Sequence, residues 1–369
     1  MKLHCHRPSL VAALQAVSAV VPSRTPKEIL KNVKLIVADG KVTMQATDQE
    51  VGIHQAVEGV ETDSAGTALL PAARLVSILR ELTDEAAEIE ITQDSIQIKS
   101  GRSQFRLSAE DPAEYPAIPD AEDGDSFSIE SGKLRRMVKR TAFATDVEST
   151  RYALGGLQLE VNGSDVTLAA TDSRRLAVVR AQTSGGTAPD SAKPPVIPTK
   201  AMSLLERNIP DDDTPTQITV RDNDVLFQCA NTTVYSRLVE GRFPQYRDVI
   251  PKDSRFDIEL LVGSFYSAIR QAQIVTDEES RGVDFNFNDG TLTLNSTAAD
   301  IGQSKIEVPI AYDGEELTIT FDPRYIADFL KVLNQDSSVT LKLTDGESAA
   351  VFVTDDDYTY VIMPLARDR

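Results

Sequence analysis

The stretch VTLAATDSRRLAV (residues 166–178) is predicted to form a strand, a short polar turn and the start of a second strand. VTMQATDQEVGI (42–53) has the same order of apolar residues around Thr and Asp, and LTLNSTAADIG (292–302) has it in a weaker form. A regular spacing of this kind indicates an internal repeat, here with a period of about 125 residues. The shared threonines are Thr47, Thr171 and Thr297.

Each copy of the repeat also contains two segments in which apolar residues recur three and four positions apart, the pattern of a helix with one buried face. One of the two has a proline near its predicted first turn, where proline fits a helix. The predicted helical segments are 9–21, 69–82, 132–145, 196–209, 263–276 and 320–333. Segments such as 95–108, 224–239 and 348–363 alternate polar and apolar residues, as half-buried antiparallel strands do. We therefore predict an α+β domain with two helices and about eight short strands, repeated three times.

Domain boundaries are expected near DAEDGDS (120–126) and PKDSRFD (251–257), where Pro, Gly and Asp concentrate and the periodicity lapses. The loop TSGGTAPDSAKPP (183–195) is also small and polar, but it lies inside the second copy and is predicted to be a surface excursion. The predicted domains are 1–121, 127–251 and 252–369.

The composition is typical of a soluble globular protein, with 41% hydrophobic and 26% charged residues. No apolar run approaches the roughly 18 residues needed to cross a bilayer, and MKLHCHRPSL (1–10) lacks the features of a secretory signal. The cysteines, Cys5 and Cys229, are too few for a disulfide framework. These features predict a cytoplasmic protein without a membrane partner.

The net charge of −19 argues against a polyanionic partner unless the 38 Lys and Arg residues are concentrated on one surface. The predicted helix 132–145 has such a concentration, because Lys133, Arg136 and Arg140 share one face and no acid interrupts them. A solvated helix face would explain one such helix equally well. Modest basic faces on the other helices, however, would add up to a positive lining if the repeats formed a ring with helices inside. Such a ring would suit duplex DNA, bound through its phosphates without regard to sequence.

Asp172 next to Ser173, Arg174 and Arg175 permits several interpretations. A catalytic dyad is unsupported, because no histidine lies near Asp172 in sequence. The sequence has no nucleotide-binding glycine motif and no ligand spacing for zinc or calcium, so we predict no catalytic residue, metal or cofactor. The Thr-Asp pair recurs at Thr47 and Asp48 without the arginines, so it could simply shape a turn. Arg175 and Leu176, absent from the first copy, are the better candidates for a binding function.

Over essentially its full length the chain resembles the β subunit of bacterial DNA polymerase III, the sliding clamp family. The resemblance implies three α+β domains per chain and a ring of two chains joined head to tail, with helices lining the hole and sheets outside. It implies no enzymatic activity, since ATP is used by the clamp loader that opens the ring. The segments that carry the resemblance are ATDQEVGI (46–53), RYALGGLQLE (151–160), ATDSRRLAV (170–178), LVEGRFPQYRDVIP (238–251), RGVDF (281–285), GEELTITFDPRYIADFL (314–330) and YVIMPLARDR (360–369).

The resemblance further implies a hydrophobic cleft that binds a short peptide of each partner. The implied partners are the polymerase III catalytic subunit, the clamp loader, repair polymerases, ligase and mismatch repair proteins. An apolar pocket supplies affinity in such a site, and a few polar groups orient the guest. The cleft residues implied are Leu154, Thr171, Asp172, Arg175, Leu176, Pro244, Val249, Val361, Met363, Pro364 and Leu365.

For DNA, the resemblance implies contacts by Arg24, Arg80 and Lys200. From the concentration of positive charge on the helix 132–145, we also predict contacts by Arg136 and Arg140. For the homodimer, it implies that Phe105 and Leu107 on an edge strand face Ile274 and Val275 of the partner chain.

The chain departs from the family pattern at two places near the cleft. Gly-His is common where Ser173 and Arg174 stand, and family members end soon after the Met-Pro segment, whereas 366–369 continue here. Both departures leave the peptide preference open. Two rival functions also stay open, a hydrolase that uses Asp172 and a repeated scaffold that does not bind DNA.

Overall fold

A computed structural model describes residues 1–119, 126–148, 153–186, 194–276 and 281–366. In these ranges the predicted α+β class is confirmed, and each copy of the repeat has two α-helices. Their bounds are α1 (Arg7–Ser18), α2 (Ala72–Glu81), α3 (Ser131–Thr141), α4 (Thr199–Asn208), α5 (Val262–Ala272) and α6 (Pro323–Lys331). The predicted helical segments 132–145 and 263–276 each end in a short 3₁₀ turn, at Ala142–Ala144 and Gln273–Val275.

Each helix forms because its apolar residues fall on one face. In α6, Ile326, Phe329 and Leu330 are buried at the expected spacing. The carboxylate of Asp322 accepts a hydrogen bond from the backbone N–H of Arg324 at 3.0 Å, and Pro323 occupies the first turn. Both features stabilise the start of a helix.

The first copy of the repeat contains nine strands, β1 (Lys2–His6), β2 (Asn32–Ala38), β3 (Lys41–Thr47), β4 (Val51–Val57), β5 (Val60–Thr62), β6 (Gly66–Pro71), β7 (Ala86–Ile91), β8 (Ser95–Ser100) and β9 (Ser103–Ser108).

The second copy contains β10 (Ser126–Glu130), β11 (Gly156–Asn162), β12 (Asp165–Thr171), β13 (Arg175–Gln182), β14 (Gly185–Gly186), β15 (Val196–Pro198), β16 (Pro215–Val220), β17 (Asp224–Cys229) and β18 (Thr232–Arg237).

The third copy contains β19 (Phe256–Leu261), β20 (Val283–Asn288), β21 (Thr291–Ala298), β22 (Gly302–Pro309), β23 (Leu317–Phe321), β24 (Ser338–Leu343), β25 (Ala350–Val353) and β26 (Tyr358–Ile362).

The contacts divide the chain into two compact units. The first unit comprises the described residues of 1–135, 183–191 and 200–238. It contains a five-stranded sheet in the order β5-β1-β7-β8-β9 and a nine-stranded sheet in the order β14-β10-β16-β17-β18-β4-β3-β2-β6. All the strand pairs are antiparallel.

The second unit comprises the described residues of 136–182, 192–199 and 239–369. Its two antiparallel sheets have the orders β15-β11-β12-β13-β26-β25-β24-β19 and β22-β21-β20-β23. The core beneath the larger sheet is rich in aromatic rings, and those of Phe329 and Tyr360 stack with centroids 4.7 Å apart.

Two of the sheets each contain strands from two copies of the repeat. In the first unit, β4 of the first copy pairs with β18 of the second, and Gly52 lies opposite Tyr235. In the second unit, β13 of the second copy pairs with β26 of the third, and Leu176 lies opposite Val361. We call these pairings the first joint and the second joint.

The loop predicted at 183–195 begins differently from the expected excursion, because Gly186 pairs with Phe127 at the edge of a sheet. Its residues 187–193 lie outside the described residues, as does most of the predicted boundary at 120–126. The second predicted boundary, 251–257, lies between the 3₁₀ helix Tyr246–Val249 and β19. The three predicted domain ranges stay a prediction. None of the helices in the described ranges is both long and apolar enough to cross a membrane.

Candidate functional site

The turn between β12 and β13 is held by the side chains of Thr171 and Asp172. The Thr171 hydroxyl donates a hydrogen bond to the carbonyl of Arg175 at 2.6 Å and accepts one from the N–H of Ser173 at 3.1 Å. Oδ1 of Asp172 accepts hydrogen bonds from the N–H groups of Arg174 and Arg175 at 2.9 and 3.0 Å. The turn thus satisfies its own backbone through two side chains.

The first copy of the repeat makes the same turn. The Thr47 hydroxyl donates to the carbonyl of Val51 at 2.8 Å, and Oδ1 of Asp48 accepts from the N–H groups of Glu50 and Val51 at 2.9 and 2.8 Å. Because the pattern is present without the arginines, it supports the interpretation that the Thr-Asp pair shapes a turn.

Arg175 is the centre of a partly buried polar network. Its side chain is only 9% exposed. Nε lies 3.0 Å from Asp172, Nη1 lies 2.7 Å from Asp328 on α6, and Nη2 donates to the carbonyl of Phe143 at 2.6 Å. Its guanidinium also lies 4.6 Å from the ring centroid of Tyr325. Burial lowers the pKa of Arg175, but Tyr360, Asp328 and Asp172 outweigh it and hold this pKa above its ordinary value.

The apolar residues predicted for the cleft fall into a buried set and an exposed set. Leu154, Leu176 and Val361 are buried, and Leu176 and Val361 pack in one cluster with Phe243 and Tyr246. These three residues therefore offer a ligand little surface.

The exposed set lies at the chain end and in the segment after β18. Met363 is 48% exposed, Val249 is exposed, and Pro244, Pro364 and Leu365 are partly buried. Two backbone hydrogen bonds hold the chain end, from the N–H of Met363 to the carbonyl of Arg174 at 2.9 Å and from that of Leu365 to the carbonyl of Thr320 at 2.8 Å.

The two joints differ at one equivalent position, which is Gly52 in the first joint and Leu176 in the second. A Cβ added to Gly52 would lie 2.9 Å from the side chain of Ile118. Ile118 packs in a buried cluster with Leu226 and Tyr235. The chain therefore fills at the first joint the space that a leucine occupies at the second.

Sequence reasoning did not assign several side chains around the turn. Phe143, Tyr325 and Asp328 contact Arg175 but lie in predicted helical segments to which no site residue was assigned. Phe243 and Tyr246 lie in a stretch that supported the resemblance, and their aromatic character was the available signal. Burial raises the pKa of Tyr246 to about 12, and the nearby Glu160 adds to this rise.

The cations predicted to contact DNA have different surroundings. Arg24, Arg80 and Arg136 are exposed, and the Gln15 amide lies 2.9 Å from the guanidinium of Arg80. Lys200 is exposed but pairs with Asp48 in the first unit. Arg140 is only 14% exposed, with Nη1 at 2.7 Å from Asp356 in the second unit.

The residues predicted for the dimer joint lie at exposed places in each unit. Phe105 is exposed and Leu107 partly buried on β9, which is an edge strand among the described residues. Ile274 is 72% exposed and Val275 partly buried in the 3₁₀ turn after α5. In the part of the chain that the structure describes, no group of three or more His, Cys, Asp and Glu side chains is placed to hold a metal.

Ser173→Gly is expected to stabilise the chain by about 0.5–1 kcal/mol, because only glycine adopts positive φ without strain. Ser173 has a φ of 75° in the turn, and its side chain is exposed. The free energy of unfolding in guanidinium chloride measures the change. Ser203→Gly, inside α4, is the control and should destabilise the chain by about 1 kcal/mol. A loss of stability in the Ser173 variant would contradict the turn geometry.

The chain matches three domain families along its length. Residues 1–119 match the DNA polymerase III beta subunit, N-terminal domain, residues 128–245 match its central domain, and residues 247–366 match its C-terminal domain.

Whole proteins show the same similarity. The beta sliding clamp of Chlamydia muridarum is 30% identical over 368 residues, which cover 99% of both chains. That of Haemophilus influenzae is 30% identical over 369 residues, which cover 99% of this chain and 100% of the relative.

Solved structures share the fold over the full chain. A crystal structure of the sliding clamp, DNA polymerase III subunit beta, from Pseudomonas aeruginosa has a TM-score of 0.92 at 29% identity and covers 100% of both chains. The DNA polymerase sliding clamp from Bacillus subtilis also has a TM-score of 0.92, at 28% identity, with 100% of this chain and 99% of that chain covered. The chain therefore belongs to the DNA polymerase III beta subunit family and is a non-catalytic sliding clamp of DNA polymerase, built from three repeated clamp domains.

Proposed function

We propose that two copies of this chain close into a ring around duplex DNA and hold the replicative polymerase through the cleft of the second unit. The observation that carries the ring is the repetition of one strand joint. At each joint, the strand after the Thr-containing turn of one copy pairs with the last strand of the next copy, β4 with β18 and β13 with β26.

This pairing uses the strand after the turn in the first and second copies and the last strand of the second and third copies. The corresponding strand of the third copy and the last strand of the first copy are left at sheet edges. In the third copy, β22 follows β21, the strand that contains Thr297, and in the first copy β9 is the last strand. Both are edge strands among the described residues. An exposed edge is normally an aggregation hazard, which pairing with a second chain removes. We infer that β22 of one copy pairs with β9 of the other, so that a head-to-tail contact closes after two chains.

The dimer residues Phe105, Leu107, Ile274 and Val275 fit this joint. Phe105 and Leu107 lie on β9 itself, and Ile274 and Val275 lie in the turn between α5 and β20. Ile274 is an apolar side chain with little cover in the single chain, as expected of a residue that a partner buries.

For DNA, we propose that Arg24, Arg80 and Arg136 contact phosphates, since all three residues are exposed. Lys200 and Arg140 would contribute less, because Asp48 and Asp356 already pair with them. Contacts to phosphates alone are independent of sequence and allow the protein to slide.

In the cleft, Val249, Met363, Pro364 and Leu365 would contact the apolar residues of a partner peptide, over the floor of Leu176 and Val361. Methionine adapts to different guests, which suits a site shared by the polymerase III catalytic subunit, the clamp loader and the repair proteins. The tether raises the effective concentration of polymerase at the primer end, so that a polymerase that lets go rebinds before it diffuses away.

The test is retention on DNA with and without ends. A clamp loader with ATP places the protein on a nicked circular plasmid, gel filtration removes unbound protein, and one restriction cut then linearises the plasmid. We expect the protein to elute with the circle and to be lost from the linear DNA, since only a ring depends on topology. A plasmid that lacks the cutting site is the control. Equal retention on circular and linear DNA would contradict the ring.

A further inference from the structure

Arg174 places a positive charge beside the exposed residues of the cleft. Its backbone is fixed on both sides, because its N–H donates to Asp172 at 2.9 Å and its carbonyl accepts from the N–H of Met363 at 2.9 Å. The side chain is exposed, and Met363 next to it is 48% exposed. A cation therefore lies on a fixed stretch of backbone at the rim of an apolar surface.

The carboxylates near Arg174 already have other partners. Asp172 lies 3.0 Å from Nε of Arg175, and Asp322 lies 2.6 Å from Nη2 of Arg324. The nearby side chain of Tyr325 raises the pKa of Arg174, and the charges of Asp172 and Asp322 add to this rise. No carboxylate of the described residues forms an ion pair with Arg174 within 4 Å.

We infer that Arg174 makes the cleft select peptides that carry a carboxylate beside their apolar anchors. This inference rests on the proposed peptide-binding function and adds the chemistry that separates one guest from another. An apolar floor binds any leucine-rich peptide of suitable shape, whereas a guanidinium without a carboxylate partner discriminates by charge.

Arginine also makes the selection independent of pH. A histidine at this position, common among the clamps that the sequence resembles, would lose its charge as the pH rises through about 6.5. Arginine stays charged at every physiological pH. The charged neighbours, Asp172, Asp322, Arg175 and Arg324, already form pairs with each other.

The test uses two fluorescein-labelled, capped hexapeptides with three leucines each, which differ only in one aspartate or asparagine. Fluorescence anisotropy gives the Kd of each peptide for the full chain. We expect the aspartate peptide to bind about threefold more tightly, the size typical of an exposed ion pair. The ratio should be the same at pH 6 and pH 8 and should fall at high salt.

Arg174→Gln should bring the ratio to about one, because it removes the charge and keeps a polar side chain. Arg255→Gln is the matched control, since it changes the net charge equally at an exposed pair with Glu315. Met363→Ala should weaken both peptides alike and so identify the cleft as their site. Equal affinity for the two peptides in the unmodified chain, or a preference that survives Arg174→Gln, would overturn the inference. Binding of neither peptide would instead overturn the proposed cleft.

Discussion

Replacing Ile274 by aspartate is expected to separate the ring into folded monomers. The side chain is 72% exposed in the single chain, so the substitution removes little core. In the proposed ring the second chain covers this position, and a carboxylate would be buried without a partner. Such burial costs about 3 kcal/mol, which weakens each of the two contacts roughly 100-fold.

Light scattering measures the result directly. The unmodified chain should have twice the monomer mass of 40.2 kDa at micromolar concentration, and Ile274→Asp should have the monomer mass. Leu261→Asp is the matched control, because Leu261 is also apolar and 64% exposed but lies outside the proposed joint. A dimer that survives Ile274→Asp, or an equal loss of mass in both variants, would rule out this joint.

Removing Arg175 is expected to have the largest effect on stability. Arg175→Met keeps most of the side-chain volume but leaves Asp172 and the carbonyl of Phe143 without their charged partner. Breaking a buried ion pair from one side typically costs 3–5 kcal/mol, and we expect about 3 kcal/mol because Asp328 is partly exposed.

Guanidinium chloride unfolding followed by circular dichroism measures this loss. Arg255→Met is the control, since its exposed pair with Glu315 should be worth less than about 1 kcal/mol. Adding Asp172→Asn to Arg175→Met should recover part of the loss, because it removes the stranded charge. A loss below about 1 kcal/mol in Arg175→Met would mean that the network does not stabilise the unit.

The helices were predictable because their signal is local. Spacing of apolar residues placed all six, and the structure moves their ends by only a few residues, for example from 9–21 to Arg7–Ser18. The pairing of β4 with β18 and of β13 with β26 was not predictable from periodicity. Alternation along a strand identifies its buried face but says nothing about its neighbour in the sheet.

The candidate site shows the same division. Arg175 and Leu176 were preferred as binding residues because the first copy lacks them, but the structure buries Leu176 and leaves only 9% of the Arg175 side chain exposed. Arg174, which the sequence marked only as a departure from the family pattern near the cleft, is exposed. The sequence gives the type of each side chain, whereas its exposure depends on segments that are distant along the chain. For Arg175 these segments are α6 and the 3₁₀ turn Ala142–Ala144.

By itself, the sequence determined the repeat and the α+β class, since these follow from the order and spacing of residues within each copy, and its resemblance to known clamps indicated the family. The tertiary structure decided which acids pair with Lys200 and Arg140. It also decided that Leu176 fits at the second joint, whereas Ile118 fills the space beside Gly52 at the first. Charge pairing and packing depend on distances between atoms far apart in the chain, and folding alone sets those distances.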